Sequence, residues 1–208
     1  MKKWQAVFWD FDGVVLDSVH VKTRAFARMF SKFGPEVEKA VVDYHLSNGG
    51  VSRFEKFKYF YNNLLKRSIS VQELTELGEE FSNLVLQEVL SAPFIPGAYE
   101  TLCNLKQEGV PCYVVSGTPE EEVRHIVKVR QLEGLFEEVH GSPRNKGEIL
   151  EDILYRKHYL PESCMFLGDS LTDYHAAQLT KMNFIGVVSD GIESPFPVRT
   201  LTVNIVHV

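Results

Sequence analysis

Trp4-Gln5-Ala6-Val7-Phe8-Trp9-Asp10-Phe11-Asp12-Gly13 is the stretch on which the reading of this chain turns. Its apolar run reads as a buried strand, and Gly13 lets the chain turn directly after it. Buried parallel strands are apolar along their length, so a strand that finishes in two acids is unusual. Negative charge beside a core needs a cation, a proton or solvent. In an open α/β sheet the carboxyl end of a strand is also where ligands bind.

Three later segments supply further parts of a phosphoryl-handling site. Val110-Pro111-Cys112-Tyr113-Val114-Val115-Ser116-Gly117-Thr118 is a second strand-like run ending in a hydroxyl and a glycine. Ser116 can donate to a phosphoryl oxygen, and the amides near Gly117 can point at the same anion. Lys146 stands ahead of the helical stretch Glu148-Ile149-Leu150-Glu151-Asp152-Ile153-Leu154. Cys164-Met165-Phe166-Leu167-Gly168-Asp169-Ser170-Leu171-Thr172-Asp173 is a third strand, closed by two more acids four residues apart. Each segment alone is weak; their order, each at or near a strand end, is the signal.

The stretch between the first two motifs is different in kind. Residues 14 to 91 hold no convincing strand. Val19 to Phe33, Phe54 to Leu65 and Val71 to Leu90 carry apolar residues at three- and four-residue steps, with Ser70 and Glu73 as a capping box. Gly34-Pro35 reads as the stop of the first helix, and Ser91-Ala92-Pro93-Phe94-Ile95-Pro96-Gly97 as a return linker. From Ala98 onward strands and helices alternate, which implies crossover connections and a parallel sheet. The last run, Leu201 to Val208, alternates in period two and reads as a final edge strand. The expected architecture is a doubly wound α/β domain, residues 1–13 and 92–208, with a helical cap over 14–91.

At 208 residues the chain has room for one such domain with an insert. A formal net charge of −6 provides no basic footprint and argues against nucleic acid as a partner. Three cysteines without a CxxC spacing suggest neither a disulfide framework nor a zinc site, and fit a reducing cytoplasm. Lys2 and Lys3 precede an apolar run, but Asp10 and Asp12 interrupt it too early for a signal peptide, and no stretch is long enough to span a membrane.

These motifs, in this order, resemble the haloacid-dehalogenase-like hydrolase superfamily over essentially the whole chain. Asp10-Phe11-Asp12 matches its first motif, Ser116 its second, Lys146 its third, and Gly168 to Asp173 its fourth. The run from Asp10 to Ser18 is similar to the helical-cap subfamily that includes phosphoglycolate-phosphatase-like and β-phosphoglucomutase-like enzymes. The resemblance implies a nucleophile at Asp10 that forms an aspartyl-phosphate, and a general acid and base at Asp12. It implies phosphate binding by Ser116, Gly117 and Lys146. It also implies magnesium on the side chains of Asp10 and Asp169 and the backbone carbonyl of Asp12, a hard-oxygen set that suits this ion. Asp173 is expected to orient waters or Lys146. In the cap, His20 and Gly50-Val51-Ser52-Arg53 resemble a hinge helix and a specificity loop, with Arg53 offering forked donors to a substrate hydroxyl or second phosphate. The expected activity is a magnesium-dependent phosphatase acting on a small phosphorylated metabolite. A sugar-phosphate mutase is the alternative, and a receiver-type signalling module a more distant one.

Overall fold

The first strand, β1 (Ala6–Trp9), lies in the middle of the sheet, and all four of its residues are buried. Its side chains alternate between two layers. Val7 and Trp9 join one apolar cluster, while Ala6 and Phe8 join another on the opposite face. The strands β2 (Cys112–Pro119) and β4 (Cys164–Gly168) flank β1 and divide their side chains in the same way, as period-two geometry requires of a strand covered on both faces.

The computed structural model describes residues 4–207; Lys2, Lys3 and Val208, which figured in the expectations above, lie outside them. Among the described residues the sheet has six parallel strands, completed by β3 (Glu138–Ser142), β5 (Asn183–Val187) and β6 (Thr202–Val203), in the order β3-β2-β1-β4-β5-β6. The helices α5 (Ala98–Gln107), α6 (Glu120–Val129), α7 (Lys146–Lys157) and α8 (Leu171–Thr180) form the crossovers. The chain winds outward from β1 to β3, then returns to β4 on the other side of β1. The crevice beyond the ends of β1 and β4 is therefore the topological switch point, where open α/β sheets bind ligands.

Between β1 and α5 the chain makes α1 (Val19–Phe30), α2 (Pro35–Ser47), α3 (Arg53–Tyr59) and α4 (Val71–Ser91), with a π turn over Phe60–Leu64. The segments that leave and return run side by side, with Ile95 N donating to Val15 O and Asp17 N to Pro93 O. Phe26, Phe57, Phe60 and Phe81 interlock inside the bundle, with Phe26 and Phe81 centroids 4.4 Å apart. This is the core role expected of the phenylalanines in α3. Ser70 and Glu73 close the capping box at the start of α4.

Two sequence expectations need correction. Gly34-Pro35 does end the first helical stretch, but Pro35 is also the first residue of α2, where its missing N–H costs nothing. The final run does not continue as a strand. Only Thr202 and Val203 pair with β5; Val206 then turns under the start of α5, its N–H donating to Pro96 O and its carbonyl accepting from Thr101 Oγ1. No helix among the described residues is long and apolar enough to cross a membrane.

Candidate active site

Asp10 is the first residue past β1, and its N–H donates to Leu167 O of β4, which ties the two strand ends across the switch point. Gly13 turns the chain at a φ of 83°, and a Cβ there would stand 2.2 Å from Asp169 Oδ2. The glycine therefore serves both the turn and the close approach of the two strand ends. Carboxylate oxygens of Asp10, Asp169 and Asp173 lie within 4.8 Å of one another. Asp173 closes a capping box at the start of α8 by accepting from Ser170 N and Oγ.

Lys146, the first residue of α7, reaches into this cluster. Its Nζ is 2.9 Å from Asp10 Oδ2 and 2.5 Å from Asp173 Oδ1, with the side chain 3% exposed. Burial alone would strip its proton, but the two carboxylates hold the ammonium well above its ordinary value. One ammonium among three carboxylates leaves two negative charges unbalanced. Burial, opposed by Lys146 and reinforced by the Asp173 charge, pushes Asp10 up to about 7. Asp169 is raised well above the carboxylate range by burial and by the charges of Asp10 and Asp173. A cluster of three carboxylates short of two positive charges is a setting that suits a divalent cation such as magnesium.

Asp12 is turned away from that cluster. It accepts from Lys22 Nζ, from Thr118 Oγ1 at 2.8 Å and from Ser18 Oγ at 2.6 Å. Lys22 also donates to Thr118 Oγ1 at 2.7 Å. Burial raises Asp12, but the Lys22 ammonium and these hydrogen bonds outweigh it and hold the carboxyl below its usual range. The two acids of the first motif thus sit two residues apart in opposite electrostatic settings.

Ser116 is buried within β2, just past Val115 where the pairing with β3 shifts register, and its Oγ accepts from Thr118 N at 3.1 Å. Gly117 faces the loop after α2 so closely that a Cβ there would stand 2.3 Å from Gly50 O. Thr172 Oγ1 donates to Gly49 O at 2.7 Å, which fastens the same loop to the start of α8. Together the strand ends and the helical bundle enclose a cavity of about 420 Å³, whose lining includes Asp10, Asp12 and Asp169 below and Lys22, His45 and Lys56 from the bundle.

The two residues expected to give substrate specificity have other surroundings. Arg53 lines the cavity, but its guanidinium is already engaged: Nη2 is 2.5 Å from Glu122 Oε1, and Nη1 is 2.9 Å from Glu122 Oε2 and 2.7 Å from Ser82 Oγ. It also stacks over Phe81 at 4.6 Å. Three of its five N–H donors join α3 and α4 to α6. His20 lies on the exposed side of α1, 3.6 Å from Asp17, and does not line the cavity. Sequence reading missed Lys22, Thr118, His45 and Lys56. A partial signal was available, since Val19, Lys22 and Phe26 share one face of α1 at helical spacing.

Known proteins share the sequence pattern and the fold. A phosphoglycolate phosphatase of Aliivibrio fischeri is 28% identical over 181 residues, covering 83% of this chain and 78% of that protein. Enolase-phosphatase E1 of Aquifex aeolicus is 24% identical over 206 residues, covering 91% of this chain and 92% of its own. The crystal structure of a β-phosphoglucomutase from Clostridium difficile shares the fold at 18% identity, with a TM-score of 0.72 over 89% of this chain and 85% of that one. The model of the haloacid dehalogenase-like hydrolase family matches residues 7–187, from the strand that presents Asp10 through the strand that follows Asp173. The chain belongs to the haloacid dehalogenase-like hydrolase family.

Proposed function

We propose that this chain is a magnesium-dependent phosphatase that hydrolyses a small-molecule phosphate monoester through an aspartyl-phosphate on Asp10. The observation that carries the reading is the separation of the first two acids. Asp10 sits among Lys146, Asp169 and Asp173, while Asp12 is held two residues away by Lys22, Thr118 and Ser18. Asp10 and Asp169 would hold the ion through their side chains and Asp12 through its backbone carbonyl. The ion supplies positive charge that keeps Asp10 ionised and offsets charge on the phosphoryl oxygens.

In the first half-reaction an Asp10 oxygen attacks phosphorus and the ester P–O bond breaks. Asp12 gives its proton to the departing alkoxide. A phosphoryl anion beside Asp12 raises its proton affinity, which prepares it to act as the acid. In the second half-reaction Asp12, left as a carboxylate by the first, takes a proton from water. That water attacks the acyl phosphate, releasing inorganic phosphate and restoring Asp10. Lys146, Ser116 and the Gly117 amide bind the phosphoryl oxygens, and Asp173 holds Lys146 in place. Residues 14–91 act as the cap and residues 1–13 and 92–208 as the catalytic domain. The enclosed cavity suits a small metabolite, and the free cysteines suit the cytoplasm.

The test is release of phosphate from p-nitrophenyl phosphate with and without magnesium. Asp10→Asn should abolish it by several orders of magnitude. Activity that survives in that variant, or that ignores a chelator, overturns the mechanism. The covering bundle also favours a second reading, a phosphomutase, because it shields the site from water. Conversion of a sugar phosphate to its isomer without phosphate release would establish that reading instead.

A further inference from the structure

The cavity wall opposite the acids carries a charge that the described protein does not balance. Of the basic side chains lining the cavity, Lys22 is paired with Asp12 and Arg53 with Glu122. Lys56 has no carboxylate partner among the described residues. Its Nζ is 2.8 Å from His45 Nδ1 and 3.4 Å from His45 O, and stands over the Phe26 ring at 5.7 Å from the centroid. The residue is only 2% exposed. His45 cannot supply the missing charge. Burial and the Lys56 ammonium push the imidazole down to about 3, so its Nδ1 accepts from Lys56 as a neutral ring.

A buried ammonium with no carboxylate in contact is costly, and the more distant Asp169 and Asp12 charges only partly offset that cost. Burial, with the Lys22 charge adding to it, pushes Lys56 down to about 7. An apolar residue would fill the same volume without that penalty. A lysine kept at a cavity wall under those terms is explained by an anion that arrives with the ligand.

We infer that Lys56, supported by His45, forms a subsite for an anionic group on the non-reacting end of the substrate, a carboxylate or a second phosphate. This rests on the phosphatase reading for which end reacts; the subsite itself rests on the unbalanced lysine. The phosphoryl end lies at Asp10, and the charged tail points into the bundle. Arg53, whose charge is paired with Glu122, holds this wall in position, and Lys56 is the cavity cation without a carboxylate partner among the described residues.

The experiment compares three esters of similar size: phosphoglycolate with a carboxylate tail, ethylene glycol bisphosphate with a phosphate tail, and 2-hydroxyethyl phosphate with a neutral one. Affinities are measured by calorimetry on the full chain carrying Asp10→Asn with magnesium present, and kcat/KM on the unmodified chain. At least one charged-tail ester should bind about tenfold more tightly than the neutral one, as a charge-assisted hydrogen bond implies. Adding Lys56→Met should bring that ratio close to one. Which charged tail wins identifies the group. Equal affinities for all three esters, or equal kcat/KM on the unmodified chain, overturn the subsite without any change at Lys56. A preference that survives Lys56→Met in a chain with unchanged circular dichroism also overturns it. If neither these esters nor p-nitrophenyl phosphate releases phosphate while the charged-tail preference persists, the phosphatase reading fails and the subsite stands.

Discussion

Two lysines, buried to nearly the same depth, one in the cavity wall and one against Asp10 at the strand ends, have opposite electrostatics. Lys146, at the strand ends, lies between Asp10 and Asp173 and holds its proton more tightly than a free lysine. Lys56, in the bundle, meets only a neutral imidazole and a carbonyl and is pushed down to about 7. Burial is the largest influence on both, so the difference comes from partners. The sheet side of the site surrounds its ammonium with carboxylates, whereas the bundle side gives its ammonium none among the described residues. Chemistry common to all substrates is built in on one side, and selection among them is left open on the other.

The sharpest way to break this comparison is to remove each ammonium. Lys146→Met strands two buried carboxylates, and should lower unfolding stability by about 3–5 kcal/mol in urea titrations without magnesium. Lys56→Met strands no charge. It should raise stability instead, by roughly 2 kcal/mol at or below pH 7. The sign follows from linkage. A lysine whose folded pKa lies below its unfolded value penalises folding fully below the folded pKa. Between about 7 and its ordinary value near 10.5 the unfolded chain binds more protons, so the penalty fades as pH rises. The gap between variant and parent should therefore narrow from pH 7 to pH 10. A Lys56→Met chain less stable than its parent at neutral pH would show that the two lysines do not differ as described. The smallest effect concerns the acids. Magnesium in excess should stabilise the parent by about 1–2 kcal/mol in thermal melts, and Asp169→Asn should lose most of that gain.

Much of this molecule was legible in its sequence because it rests on local pattern. The strands presenting Asp10, Ser116 and Asp169 are uninterrupted apolar runs, and each motif stands where its run stops. Helix α2 was not legible because little of it is apolar and buried, chiefly Val41, and Gly34-Pro35 reads as an end. The last strand was over-read because Ile205 and Val206 continue an alternating pattern, although the backbone there has turned to α5. Candidate site residues are legible where a motif names them and not where contact is long-range. Lys22 and Thr118 are 96 residues apart, and nothing local marks either as a partner of Asp12. Arg53 was legible as important but not in its use, because Glu122 lies 69 residues further along.

The meeting of Gly117 with the Gly50 carbonyl has a further consequence. This seam between bundle and sheet is sealed by bare backbone, and a single methyl group at Gly117 would fall short of normal carbon contact by roughly 1 Å. Such a methyl would act as a doorstop. It would remove no acid, no lysine and no metal ligand, yet would leave the loop standing off the strand end and admit water to the cavity. The tightness of this enclosure is thus set by the absence of one carbon atom.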